Sequence, residues 1–161
     1  MLLVKRYVLA LLFTTAFLSG AAQKGGSDIP LFKLWRTDGR MITANDLPKR
    51  PVVLIYFDPD CGHCITLLNG VFKEKAAFAK TTLLLVTFKP AGELKTFERQ
   101  YKTAAYPNLI ATTEGTGFFL RYHYKVQQTP FVVLFNKEGK MVRRFDNQPV
   151  VADLLGPVKS L

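Results

Sequence analysis

Val52-Val53-Leu54-Ile55-Tyr56-Phe57-Asp58-Pro59-Asp60-Cys61-Gly62-His63-Cys64 is the stretch on which the reading of this sequence turns. Six consecutive apolar residues, opened by Pro51, suit a strand buried on both faces at the centre of a sheet. Beyond Cys64 apolar residues recur at helical spacing, Ile65, Leu68, Val71 or Phe72, Ala76 and Ala79, which predicts a helix reaching Lys80. The cysteines therefore fall where a buried strand gives way to a helix. Backbone N–H groups at a helix N-terminus are unpaired and carry partial positive charge, so the pKa of Cys61 is expected below the free value of about 8.5. The thiolate is the species that attacks a disulfide, and Cys64, three residues on, is placed to resolve the mixed disulfide. A protonated His63 would favour the thiolate further and make the pair more oxidising. Asp60 is a candidate helix cap. Asp58 and Asp60 also carry negative charge that opposes a thiolate.

Working outward, strands alternate with helices. Leu31 to Trp35, the Thr37-Asp38-Gly39-Arg40 turn and Met41-Ile42 predict a β-hairpin. Thr82 to Phe88 reads as a second buried strand, Pro90 to Tyr101 as a helix with Leu94, Phe97 and Tyr101 on one face, and Asn108 to Ala111 as a short strand. Gly117 to Val126 predicts a helix with Phe118, Phe119, Tyr122 and Val126 inward. Pro130 to Phe135 and Met141 to Phe145 form a closing hairpin around Asn136-Lys137-Glu138-Gly139-Lys140, and Val150 to Leu155 a last short helix. This pattern implies an α/β fold, a sheet with helices on both faces, whose chemistry sits beyond the carboxyl ends of strands.

At the N-terminus Lys5 and Arg6 precede an apolar run from Tyr7 to Leu18 and the small residues Ser19, Gly20, Ala21 and Ala22. That is the pattern of a signal peptide over residues 1–22, too short for an ordinary membrane span of roughly 20 apolar residues. An uncleaved membrane anchor is the alternative. A linker follows over 23–28, then one domain over 29–161. A periplasmic or secreted location is expected, where a Cys pair can form and keep a disulfide. Without the leader, twenty Lys and Arg face twelve Asp and Glu, leaving +8. The basic residues are scattered with no interleaved aromatics, which reads as a solvated surface and not as nucleic-acid binding.

Other uses of the Cys pair are weaker. A lone CxxC is half a zinc site, and only His63 and His123 remain as further His ligands, so no metal is expected. Covalent haem needs CxxCH, and Ile65 follows Cys64. No cofactor is expected. A purely structural disulfide stays open, and His123 reads as an ordinary surface or core histidine. Thr129-Pro130 stands at a strand entrance, where a trans proline is tolerated; a cis bond there would turn the Thr129 backbone towards a substrate.

The Phe57-to-Cys64 stretch, the distant Thr129-Pro130 and the closing hairpin together resemble the thioredoxin superfamily. The opening hairpin and the segment between the second core strand and Thr129-Pro130 resemble its TlpA/ResA-like redoxin branch. The resemblance covers about residues 29–146. It implies the thioredoxin fold, a central mixed β-sheet with helices on both faces and an N-terminal β-hairpin extension. It implies Cys61 and Cys64 as the redox pair, Gly62, His63 and Asp60 as tuning residues, a cis Pro130 facing the disulfide, and Thr129 and Phe57 beside the substrate. Protein dithiols and disulfides would be the substrates, with a membrane electron-transfer partner. The sequence departs from many thioredoxins at Ile55, where they bury an Asp six residues before the first Cys, and at Asp60, where they carry Trp. Three functions remain: a reductase of extracytoplasmic proteins, an oxidase or isomerase favoured by His63, and a non-catalytic binding module on the same scaffold.

Overall fold

The computed structural model describes residues 28–161; the expected leader and residues 23–27 of the expected linker lie outside them. Asp28 already belongs to the domain, bridging Lys140 across the closing hairpin. The elements in chain order are β1 (Lys33–Trp35), β2 (Met41–Thr43), β3 (Val52–Tyr56), α1 (Gly62–Lys73), α2 (Lys75–Phe78), β4 (Thr82–Thr87), α3 (Ala91–Tyr101), β5 (Leu109–Thr113), α4 (Phe119–His123), β6 (Phe131–Phe135), β7 (Met141–Phe145) and α5 (Val151–Lys159).

The seven strands form one mixed sheet in the order β2-β1-β5-β4-β3-β6-β7. β3, β4 and β5 run parallel, while β6 and β7 join antiparallel on one side and the β1–β2 hairpin on the other. The apolar run is the central strand: all five residues of β3 are buried, between β4 and β6. Alternate β3 side chains serve opposite layers. Val53 and Ile55 pack with Leu67, Leu68 and Val71 of α1, Leu94 and Phe97 of α3, and Leu154 and Val158 of α5. Val52, Leu54 and Tyr56 pack with Phe32, Leu34, Leu120, Tyr124 and Phe131 on the other face. Each such aliphatic side chain stabilises the fold by about 1.5–3 kcal/mol when fully buried. Helices thus cover both faces, and the expected N-terminal hairpin extends the sheet.

Two helices differ from the sequence reading. The helix after Cys64 breaks at Glu74, whose ψ of 28° leaves the α-helical range. The short α2 then buries Phe78 in place of the expected Ala76 and Ala79, which are exposed. The helix expected over Gly117–Val126 is only five residues long, flanked by left-handed residues Phe118 (φ 46°) and Lys125 (φ 52°). Leu120 is its buried residue, with Tyr124 and Val126 buried just beyond it; Phe119 and Tyr122, expected inward, are exposed. Phe118 precedes the helix, so a helical period counted from it points the wrong side chains inward.

Candidate redox site

The site is built where β3 stops. Phe57 still hydrogen-bonds the Val86 carbonyl (2.9 Å), and the chain then turns through Asp58-Pro59-Asp60. The Asp60 N–H donates to Asp58 Oδ1 (3.0 Å) and the Cys61 N–H to the Asp58 carbonyl (3.0 Å). Cys61 takes the N-cap position with extended backbone, and its carbonyl accepts from the Ile65 N–H (3.1 Å). No side chain caps the helix. The expectation that Asp60 caps α1 is therefore corrected: its carboxylate is drawn away to Lys89 at 2.6 Å.

The two thiols, free of any disulfide, occupy different surroundings. Cys61 is half-buried at the rim, and its thiol donates to the Thr129 carbonyl at 3.6 Å. The same carbonyl accepts from Gln148 Nε2 at 3.3 Å. The Thr129-Pro130 peptide is cis and Pro130 is buried. Cys64 is fully buried in the layer under α1, its sulfur accepting from the Asp58 N–H at 3.5 Å. Burial opposes ionisation of Cys61. Hydrogen bonds from the backbone and thiol of Cys64, with smaller ones from Thr129 and the His63 backbone, outweigh it and hold the Cys61 thiol below its ordinary value. Burial pushes the Cys64 thiol up to about 12, against the opposing Asp58 N–H. The pair thus offers one thiol that ionises more readily than usual beside one that resists ionisation, the asymmetry that thiol–disulfide exchange uses.

Charge around the pair comes from distant segments. Lys89, just past β4, lies 3.7 Å from Asp58, 2.6 Å from Asp60 and 3.6 Å from Glu93. It partly offsets the negative charge that the sequence reading set against the thiolate. Its own pKa is raised, first by the Asp60 hydrogen bond. A cleft of about 300 Å³ opens beside Cys61, lined among others by Asp58, Phe88, Arg121, Thr129 and Gln148. Gly62 and His63 are exposed on the first turn of α1, and a Cβ on Gly62 would touch nothing within 4 Å. Ile55 is fully buried, so that position supplies no acid beneath Cys64. Phe57 also needs correction as a substrate contact: it is 0% exposed and packs on Phe97 at 4.8 Å between ring centroids. His123 is exposed and stacks on Phe119. Among the described residues no three His, Cys, Asp or Glu side chains converge as metal ligands.

Sequence reasoning missed Lys89, Arg121, Gln148 and the buried Glu114. Glu114 accepts from the Tyr56 hydroxyl (2.6 Å) and the Leu120 N–H (2.7 Å), tying β3 to α4. Burial and the Glu114 carboxylate raise the Tyr56 pKa. The available signal was positional: Lys89 and Glu114 stand within two residues of the ends of β4 and β5, which run parallel to β3, at the carboxyl end where Cys61 sits.

A sequence model of the thioredoxin-like domain matches residues 38–146. No curated protein sequence matches the chain. Among solved structures it is similar to a secreted Mycobacterium tuberculosis disulfide oxidoreductase described as homologous to E. coli DsbE. The identity is 19%, 81% of this chain and 96% of that one are covered, and the TM-score is 0.67. The exposed lipoprotein thioredoxin of Streptococcus pneumoniae aligns at 23% identity over 82% of this chain and 100% of that one, TM-score 0.61. A thioredoxin-like protein of Porphyromonas gingivalis aligns at 18% identity over 83% and 90%, TM-score 0.68. At these identities the likeness is one of fold. With the family match over most of its length, the chain belongs to the thioredoxin-like domain family.

Proposed function

We propose that this thioredoxin-like protein is an extracytoplasmic thiol–disulfide oxidoreductase that works as a reductase of protein disulfides. The observation that carries the reading is the asymmetry of the pair: Cys61 at the rim with a lowered pKa, Cys64 buried with its thiol pushed up to about 12. The Cys61 thiolate attacks one sulfur of a substrate disulfide. A Cys61–substrate disulfide forms and the other substrate sulfur leaves as a thiolate. Cys64 then loses its proton and attacks Cys61 Sγ, closing the Cys61–Cys64 disulfide and expelling the second substrate thiolate. Two electrons pass to the substrate, and its two thiolates take up two protons, one of them supplied by Cys64. A partner dithiol, for which a membrane electron-transfer protein is the proposed class, reverses these steps to restore the reduced pair. Thr129 borders the attacked sulfur through its carbonyl, Gly62 and His63 shape the first turn of α1, and Asp60 tunes charge through Lys89.

Support for this direction comes from Cys64: with its thiol pushed up to about 12 it gains no stabilisation as a thiolate in the reduced pair, which favours closing the Cys61–Cys64 disulfide and giving up its electrons. The oxidase or isomerase alternative rests on His63, exposed beside Cys64. The reduction potential decides between them. A value near −270 mV supports the reductase; one between about −120 and −180 mV rejects it in favour of the oxidase or isomerase. The extracytoplasmic assignment rests on residues 1–22. It is checked by fractionating cells that express the full chain and reading the mature N-terminus.

A further inference from the structure

Arg121 is the cationic side chain that lines the cleft beside Cys61. Its guanidinium lies over the rings of Phe88 (5.6 Å to the centroid) and Phe118 (5.8 Å), themselves 6.0 Å apart. Aromatic rings engage the face of a guanidinium and leave its N–H donors free around the edge, the arrangement that grips a carboxylate with two parallel hydrogen bonds. Among the described residues those donors meet no carboxylate within 4 Å and make no hydrogen bond. The one acid lining the cleft, Asp58, is engaged by Lys89 and by the Asp60 N–H. The glutamines at the cleft, Gln127, Gln128 and Gln148, are neutral.

The position of Arg121 is fixed from below. α4 is held by the Leu120 N–H on the buried Glu114 carboxylate, which the Tyr56 hydroxyl holds in turn. A long cation pre-set in this way loses less freedom on meeting a partner than a solvated one. At about 300 Å³ the cleft is at the small end for ligand sites, with room for one or two residues of a peptide.

We propose that Arg121 selects substrates, favouring disulfides in peptides or proteins that carry an Asp or Glu beside the reacting cysteine. This rests on the thiol–disulfide exchange proposed above. The carboxylate docks on the Arg121 edge while the neighbouring sulfur faces Cys61.

The test is single-turnover reduction by the pre-reduced full chain at low salt. The substrates are three synthetic peptide disulfides, identical except for Glu, Gln or Lys beside the cysteine. Each rate is divided by the rate of dithiothreitol with the same peptide, which removes intrinsic differences in reactivity. The wild type is expected to favour the Glu peptide over the Lys peptide about tenfold, shrinking as salt is added. In Arg121→Gln the ratio collapses towards one, and in Arg121→Lys a part of it survives. A wild-type ratio of one, or a ratio that Arg121→Gln leaves intact, overturns the proposal. Turnover of the Gln peptide with no charge preference sinks this inference alone, whereas no exchange with any peptide takes the oxidoreductase reading down with it.

Discussion

Cys61 and Cys64 lie three residues apart in one helical turn and yet sit in different solvents. Around Cys61 are a carbonyl from the segment before β6, a glutamine from the segment after β7 that engages the same carbonyl, and an open cleft. Around Cys64 are aliphatic and aromatic side chains of the layer under α1, and one backbone N–H. The difference teaches that a CxxC motif sets only the spacing of its sulfurs. The division of labour proposed for them rests on what each one meets, a cleft or the core.

Four experiments break or sharpen that comparison. The largest effect is expected from Cys61→Ser, which removes the thiolate: reduction of insulin by dithiothreitol in its presence falls to the uncatalysed rate. Cys64→Ser keeps the attack and removes the resolution, so mixed disulfides with substrate accumulate and are seen as mass adducts. An absence of adducts in that variant would break the proposed division of labour.

The second pair concerns protonation. Alkylation requires the thiolate, so reactivity rises with pH through each group's pKa. Cys61, with its lowered pKa, is expected to reach half its maximal iodoacetamide rate at a lower pH than an unperturbed cysteine in a short peptide labelled alongside. Cys64 is expected to stay unreactive throughout the neutral range. With a pKa of about 12 its thiolate is about 10⁻⁵ of the population at pH 7, so selectivity for Cys61 in peptide mapping should exceed roughly a thousandfold. Equal labelling of both would erase the distinction. The smallest effect is expected from Lys89→Gln. It leaves Asp58, Asp60 and Glu93 without their shared cation, disfavours the Cys61 thiolate and raises its pKa by about half a unit. The rate at pH 7 then falls about threefold, and Lys89→Arg restores it. A pKa that falls, or does not move, in Lys89→Gln shows that the lysine plays no electrostatic part.

The central fold was legible because its signals are local. Six apolar residues mark β3, the Asp38-Gly39 and Asn136–Lys140 turns mark two hairpins, and the Cys pair follows the strand that must be central. The phase of α4 was not legible, because left-handed residues at both ends shorten it below the length over which a helical period can be read. The break at Glu74 leaves no Gly or Pro to announce it. Of the site, the sulfurs and Thr129-Pro130 could be named from sequence. The lysine that offsets Asp60 stands 29 positions away, and Gln148 stands 19 from Thr129. Such pairings depend on strand order, which no local pattern encodes. Phe57 misled for a related reason: its place next to the motif said nothing about which layer its ring enters.

The bridge between Asp28 and Lys140 has a geometric consequence. Tyr56, at the Cys end of β3, pairs with Phe131 at the start of β6, while Val52 pairs with Phe135 at its end. The Asn136–Lys140 turn therefore lies at the opposite pole of the sheet from Cys61, a full strand or about 17 Å away. Asp28 is fastened at that pole, so the polypeptide enters the domain from behind. A tether on that end would hold the molecule by its back and leave the reactive sulfur pointing outward, with the whole front hemisphere open to incoming proteins.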